Sequence, residues 1–344
     1  MTANATRRSI RSLMRKVRDG DKLNILTFAT HERYETNLCK TGHNFYSLKV
    51  GKEWDTDYAD IPENYNIIEH IPEYVDFDLI LSHTSCSRLP LAHNILAQTQ
   101  NPASNKLSIP MLRHCHVLPD IRFDTNQEVL GYHSMKVDHD SFISNFNRNA
   151  WGFDNAANST VVEHGIDTEF WRPNPDIDRE DVCLSVVNDW PNRDWCCGFN
   201  LWQQTAYDLP LRVFGKSPGL SEPARDVDHL REIYQQSKIF YNTSIHSPVP
   251  TVMLEAMACG CAIVSTSTCM IPEIIKHGEN GLISNDPQEL RSFLELLLAN
   301  KDLAKKLGQN ARKTIEEKYN LKRFTDDWNT LFYKTIEDYS DLQE

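Results

Sequence analysis

The stretch SPVPTVMLEAMACGCAIVST, Ser247 to Thr266, decides how this chain folds. Pro248 and Pro250 block a helix before Thr251, because proline lacks a backbone donor and restricts the residue ahead of it. Thr251 then reads as an N-cap, the helix runs to Cys259, and Gly260 closes it in left-handed geometry. Cys261–Thr266 follows as a β-run. Val252, Met253, Leu254, Ala256, Met257, Ala258 and Cys259 are apolar or small, so Glu255 is a lone carboxylate in an otherwise apolar helix. A charge there is costly without a partner. Helical side chains lean toward the N-terminus, so its carboxylate is expected at the edge where the helix begins.

Outward from that helix, β-runs alternate with helical stretches. Lys22–Thr30, Phe77–His83 and Ile109–His116 form one series of β-runs, and SFISNFNRNAWGF (Ser141–Phe153) reads as a strand turning into a helix. Val182–Val187, Leu211–Gly215, Lys238–Ser244 and Cys261–Thr266 form a second series, with helices at Asn200–Tyr207, Asp228–Gln236 and Thr251–Cys259. Such alternation marks βαβ units on parallel sheets, and two series mark two doubly wound α/β domains. Proline, glycine and charge rise together over Val161–Glu180, which places the linker there. Phe324, Trp328, Leu331, Phe332 and Ile336 recur at helical spacing and read as a packed stripe.

The composition agrees with that frame. A chain of 344 residues suits two domains, and 40% hydrophobic content supports real cores. A net charge of −12 opposes a whole-surface polyanion binder. The nine cysteines include no CxxC pair, which fits reduced buried thiols in a cytoplasmic setting better than disulfides or structural zinc. Asn158 and Asn242 head sequons read as chance. The N-terminal segment RRSIRSLMRKVRDG is basic and weakly amphipathic through Ile10, Leu13, Met14 and Val17. It reads either as a solvated tail or as a contact for anionic lipid or nucleic acid. No run is long enough to span a membrane.

Ligands of doubly wound sheets bind outside the carboxyl ends of the strands. The helix after Pro250 starts at such an edge, with free N–H groups and a positive dipole end that suit a phosphate. Glu255, four residues on, has two oxygens able to accept from the vicinal hydroxyls of a ribose. The residues alone leave two other readings open, a partly exposed glutamate and one paired with a lysine or arginine.

PTVMLEAMACGCAIVSTSTCMIPEII followed by HGENGLI resembles the C-terminal signature of retaining nucleotide-sugar glycosyltransferases of the GT-B, family 4-like type. The shared features are the glutamate before A-M-A-x-G, the β-run, I-P-E-I-I and a G-x-N-G turn. EHGIDTEFWRP and LRVFGKSPG extend the likeness more thinly. The resemblance implies an α/β fold of two facing Rossmann-like domains, residues 1–160 on the acceptor side and 161–322 on the nucleotide-sugar side. It also implies a last helix, 323–344, that crosses back to the first domain. Glu255 is implied to hold the donor ribose, and the N–H groups of Thr251 and Val252 to meet the diphosphate. The family often carries a second glutamate eight residues before Glu255, facing the donor sugar. That position is Ser247 here, beside His246. The family's Gly-Arg and following lysine fall on NDWPNRDWCCG, where Asp189 replaces the arginine and Arg193 lies close to the lysine position. Arg193 is therefore a phosphate-side candidate, or a surface arginine paired with Asp189 or Asp194. Lys216 reads as a phosphate or base contact, or as a solvated lysine. The family's Gly-Gly turn is Cys269-Met270, which should reshape the sugar pocket, and Glu273 reads as structural.

In the first half, IPMLRHCHVLP resembles the family strand that leads to a histidine near the reacting sugar. His116 aligns best, His114 competes, and Arg113 could steady an anionic group; a satisfied strand-end histidine is the plainer reading of each histidine. His31, Glu32 and Arg33, in a polar loop after the first strand, are phosphate or acceptor candidates or a charged surface turn. His83 is a weaker candidate. The resemblance implies a metal-independent glycosyltransferase with no cofactor, a nucleotide-diphosphate sugar donor (a UDP-sugar first) and a glycan, lipid-linked or small-molecule acceptor. Several D-x-D patterns, DTD, DFD, DHD, DID and DVD among them, read as chance in an acidic chain. Two other readings stand: transfer to a modified nucleic-acid base, and a nucleotide-sugar binder that has lost catalysis. A nicotinamide dehydrogenase does not fit, since no G-x-G-x-x-G occurs.

Overall fold

The computed structural model describes residues 20–28, 31–49, 53–56, 58–72, 75–84, 109–154 and 156–341. The basic segment with Ile10, Leu13, Met14 and Val17 lies outside them. The chain divides into two compact units, residues 1–163 with 324–344, and residues 164–323.

The first unit is built on seven strands: β1 (Asn24–Thr27), β2 (Asn44–Leu48), β3 (Tyr65–Ile68), β4 (Leu79–Thr84), β5 (Met111–Cys115), β6 (His139–Phe142) and β7 (Ser159–Val161). They lie in the order β3-β2-β1-β4-β5-β6-β7. Every pairing is parallel. The strand order reverses between β1 and β4, which makes that gap the switch point where ligands of such sheets sit. Among the described residues, the helices between these strands are α1 (Glu32–Cys39), α2 (Thr125–Ser134) and α3 (Asn145–Ala150).

The stretch HERYETN is therefore helical rather than the polar loop its composition indicates. Tyr34, Glu35, Leu38 and Cys39 fall on one helical face and are all buried. That packing outweighs local polarity. β2, β3 and β7 are short, at five, four and three residues, and emerge only from their pairing; α2 is likewise absent from the sequence reading, and its N-cap Asp124 accepts from the Asn126 and Gln127 N–H groups.

The stripe on the last helix, Leu321–Asp341, belongs to this unit. Phe324, Trp328, Leu331, Phe332 and Ile336 are buried. Phe324 meets Tyr34 with ring centroids 5.5 Å apart, Trp328 meets His114 at 4.8 Å, and Phe332 meets His43 at 5.6 Å. Each fully buried large apolar side chain contributes about 1.5–3 kcal/mol.

Three buried histidines make this unit acid-sensitive. Burial pushes His43 and His139 down to about 4 and His83 to about 3, from an ordinary 6.5. The folded state then binds fewer protons than the unfolded chain below pH 6.5, so stability falls with pH, each histidine costing up to about 1.4 kcal/mol per unit. The loss should begin near pH 6.5 and continue to about pH 4. Denaturant midpoints measured across that window check it; a flat profile there contradicts it, and His139→Gln should shallow the slope.

The second unit has five parallel strands: β8 (Glu180–Val186), β9 (Leu211–Phe214), β10 (Ser237–Asn242), β11 (Ala262–Ser265) and β12 (Leu282–Ile283). Their order is β12-β11-β10-β8-β9, which puts the switch point between β8 and β10. Around them lie α4 (Asp194–Cys197), α5 (Phe199–Ala206), α6 (Val227–Gln236), α7 (Thr251–Ala258), α8 (Ile271–Ile274), α9 (Pro287–Ala299) and α10 (Lys301–Lys318). The long helix of the C-terminal stripe is α11 (Leu321–Asp341).

Candidate functional site

The helix that opened the sequence reading, α7, descends from the carboxyl edge of β10 to the amino edge of β11. Six of its eight residues are buried. Its lower end is held by two guanidinium groups. Arg312 donates to the Ala258 carbonyl at 2.6 Å and to the Trp171 carbonyl at 2.9 Å, and Arg179 donates to the Cys259 carbonyl. Cations at a helix C-terminus satisfy its orphan carbonyls and oppose its negative dipole end. Gly260 then turns the chain at φ +80°, the left-handed cap its position foretells.

The upper end has no such cover. Pro250, not Thr251, is the N-cap residue, and no side chain caps the helix. The start moves by one residue because the Pro250 carbonyl already accepts from Met253 at 2.9 Å, which makes Thr251 the first helical residue. Thr251 and Val252 are half-buried at this end.

Glu255 lies one turn down and is 2% exposed. Its Oε2 accepts from the Tyr234 hydroxyl at 3.1 Å. The partner that its burial demands thus includes a phenol from the last turn of α6, which no spacing in the sequence announces. Tyr234 is itself packed between Trp171 and Phe240.

The switch-point loops bring the other second-unit candidates to the same edge. Ile245 and His246 donate their N–H groups to the Cys196 carbonyl at 2.8 and 3.0 Å, tying the loop after β10 to the segment after β8. Ser247 and His246 are half-buried on this loop, with His246 ringed by Trp195 at 6.1 Å. Arg193 is exposed and donates to the Asn188 carbonyl at 3.3 Å. The carboxylates beside it are engaged elsewhere, Asp189 by Asn192 and Asp194 by Asn200. Lys216 is exposed, and its N–H donates to Asn188 Oδ1 at 2.8 Å.

Backbone strain is confined to this edge. Asp189 (φ 52°) and Cys269 (φ 49°) are the non-glycine residues of positive φ among the described residues. Each costs about 1–3 kcal/mol, and such positions gather where ligands bind. Met270 of the Cys269-Met270 turn is fully buried, and Cys269 is half-buried.

Gly215 joins the two loops. At φ +119° it approaches so closely that a Cβ would lie 2.2 Å from the Val187 carbonyl oxygen. Gly215→Ala is expected to part β8 from β9 and cost about 3 kcal/mol. Thermal unfolding reads this directly, and an unchanged midpoint contradicts it.

In the first unit the structure reassigns three candidates. Arg113 is 2% exposed and donates through Nε to Asp140 at 2.5 Å and through Nη1 to the Tyr132 and Met135 carbonyls. It is a core cation, not an anion contact, because β5 is a central strand with both faces covered. His114 is fully buried on the same strand. The Trp328 indole donates to the Tyr34 oxygen at 3.2 Å, Tyr34 lies 2.8 Å from His114 Nε2, and His114 Nδ1 lies 2.7 Å from Ser141 Oγ. Indole can only donate, so Tyr34 accepts from Trp328, and both ring nitrogens of His114 have partners. His114 is thereby a satisfied core histidine. Glu32 is 4% exposed, and its Oε1 accepts from the Asp55 N–H at 3.1 Å, which makes it a loop anchor.

His31 is exposed at the start of α1, and Arg33 is half-buried. His116, one residue past β5, is half-buried, and its Nε2 lies 2.9 Å from His83 Nδ1.

Three of the D-x-D patterns are structural. Asp78 accepts from the Asn24 N–H, Asp140 pairs with Arg113 and Asp226 caps α6 through His229. Among the described residues no group of three His, Cys, Asp or Glu is arranged to hold a metal ion. The described cysteines are free thiols. Burial pushes Cys115 up to about 11 and Cys183 to about 12, which removes them as nucleophiles. No helix among the described residues is long and apolar enough to cross a membrane.

Residues 223–314, which include α7, Glu255 and the Pro272-Glu273 turn, match the family described as glycosyl transferases group 1. The chain carries a glycosyl transferases group 1 segment. Over nearly the whole chain the likeness is one of fold. Sucrose-phosphate synthase from Thermosynechococcus elongatus superposes with a TM-score of 0.71 at 13% identity, covering 91% of this chain and 99% of that one. The Anabaena protein HepE in complex with UDP-glucose gives 0.66 at 13% identity, covering 89% and 98%. The fold is that of the GT-B glycosyltransferases. By sequence, the N-acetyl-alpha-D-glucosaminyl L-malate synthase of Bacillus anthracis is 27% identical over 164 residues, 47% of this chain and 40% of that enzyme. The chain thus spans less than half the length of that curated relative. Within the glycosyl transferases group 1 segment, α6 and α7 supply the Tyr234–Glu255 pair.

Proposed function

We propose that the protein transfers a sugar from a nucleoside-diphosphate sugar to an acceptor hydroxyl, with retention at the anomeric carbon. One observation carries this reading. The start of α7 is uncapped by any side chain at the switch-point edge, its other end is neutralised by Arg179 and Arg312, and Glu255 lies one turn in. The diphosphate is assigned to the N–H groups of Thr251 and Val252, with Arg193 and Lys216 on the neighbouring loops as its cations. The ribose hydroxyls are assigned to Glu255, once Tyr234 shares or yields its bond. The solved HepE complex with UDP-glucose supports uridine as the first base to try.

In the transfer, the bond from the anomeric carbon to the diphosphate oxygen breaks. The acceptor oxygen bonds that carbon on the same face, and its proton passes to the departing phosphate. Preorganised positive groups at the diphosphate stabilise the charge that develops there. A resident metal is not required, so transfer should survive a chelator. The reduced buried thiols favour a cytoplasmic setting.

A thermal-shift panel of UDP-, GDP-, ADP- and dTDP-sugars tests the donor. A ligand at 100 times its Kd stabilises the folded state by about 2.7 kcal/mol. A shift with UDP-sugars is expected, and no shift with any of the four overturns the reading. Product anomers then test retention. Donor binding without transfer or hydrolysis would leave a nucleotide-sugar binding protein instead, the outcome toward which Ser247 and Asp189 lean.

A further inference from the structure

Trp195 is placed differently from the other tryptophans of the second unit. Trp171, Trp190 and Trp202 are buried, whereas Trp195 is half-buried. It stands on α4, past the carboxyl end of β8, and packs against the core cluster that contains Trp190, Trp202 and Tyr241. Across the edge lies His246, with ring centroids 6.1 Å apart and planes tilted by 41°. The backbone holds this pair in place. Ile245 and His246 both donate their N–H groups to the carbonyl of Cys196, the residue after Trp195. From the other side, the hydroxyls of Thr266 and Thr268 donate to the Ser244 carbonyl at 2.5 and 2.6 Å. Gly198, at φ +64°, comes so close to this loop that a Cβ would lie 2.1 Å from the Thr243 carbonyl oxygen. Four hydrogen bonds and one backbone contact thus fix residues 243–246 against α4, and the spacing of the two rings is part of the fold.

The assigned donor has a direction along α7. The helix begins at Thr251, at the carboxyl edge, and Glu255 lies one turn inward. A ribose at Glu255 and a diphosphate at Thr251 and Val252 therefore lead the sugar outward, past the helix start. The chain before that start is the loop that carries His246, and Trp195 faces His246 across the same edge. The C–H face of a pyranose is apolar and packs on an aromatic ring, while its hydroxyls keep to polar groups at the rim. We propose that Trp195, framed by His246, is a wall of the donor-sugar subsite and a specificity-determining residue for the transferred sugar. This deepens the proposed transfer and rests on it. The ring contributes to binding of the sugar and not of the nucleotide, because base, ribose and phosphates lie on the other side of the helix start.

The test compares UDP with UDP-glucose by titration calorimetry on the full chain; where another donor of the panel gives the larger shift, that donor and its own nucleoside diphosphate are used. Trp195→Leu keeps apolar bulk against the core and removes the ring face. It is expected to weaken UDP-glucose about 10-fold while UDP affinity changes by less than about twofold. Trp195→Phe, which restores a ring, should recover most of the loss. A thermal midpoint measured for each variant shows that it is folded, and a Trp195→Ala protein that fails to fold leaves the Leu and Phe pair to decide. Equal losses for UDP and UDP-glucose in Trp195→Leu would place the ring at the nucleotide or in the core alone and overturn the proposal. An unchanged affinity for both compounds overturns it as well. A wild type that binds no nucleotide and no nucleotide-sugar of the panel fails the donor reading itself, and the subsite falls with it.

Discussion

Glu255→Ala is expected to weaken nucleotide-sugar binding by at least about 100-fold. The two bonds assigned to the ribose hydroxyls are each worth about 1.5–3 kcal/mol when the acceptor is charged, and every 1.4 kcal/mol is about tenfold in affinity. The carboxylate sits among the buried apolar side chains of α7 at 2% exposure, so water cannot substitute for it. Glu255→Gln separates charge from shape and should keep the fold while losing most of the affinity. Tyr234→Phe removes the phenol that occupies Oε2. It should cost about 1 kcal/mol of stability, with donor affinity kept or raised, since the ribose no longer competes for that oxygen. Titration calorimetry with a UDP-sugar reads all three. A folded Glu255→Ala protein that binds donor as tightly as the wild type would end the assignment.

Arg113→Ala is expected to be the most destabilising of the changes considered for the first unit, at about 3–5 kcal/mol. Breaking a buried ion pair from one side leaves the other charge uncompensated. Here Asp140 would remain, with the Tyr132 and Met135 carbonyls also losing their donor. Burial already pushes the Asp140 carboxyl up, and Arg113 opposes that rise. Without Arg113 the folded state takes up the proton still more readily than the unfolded chain, so the deficit should narrow as pH falls toward the carboxylate range. Urea unfolding at two pH values measures both effects. Arg113→Met with Asp140→Leu, which removes the pair together, should recover most of the loss. A small, pH-independent effect of Arg113→Ala would contradict the account.

The two arginines that matter most to α7 illustrate what a sequence does not disclose. Arg179 and Arg312 lie 76 and 57 residues from Glu255, and nothing in their neighbourhoods marks them as helix caps. His83 and His116 are likewise 33 residues apart and meet only because β4 and β5 pair in register, His83 against His114. In sequence His116 aligns best, with His114 as its competitor and Arg113 beside them on the same strand. Strand geometry separates them, since residues inside a central strand are enclosed while the one just past its end meets the site.

By itself the sequence determined the alternation of strands and helices, the two-unit α/β plan, the helix between Pro250 and Gly260, and the lone carboxylate within it. These follow from local chemistry: proline and glycine punctuation, hydrophobic period, and the cost of a charge among apolar neighbours. Only the tertiary structure decided that α1 is a helix, that Arg113, His114 and Glu32 serve the core, that Tyr234 meets Glu255, and that His83 meets His116. The reason is physical. Burial and hydrogen-bond partnership depend on which strands lie side by side, and that is a property of chain segments far apart in sequence.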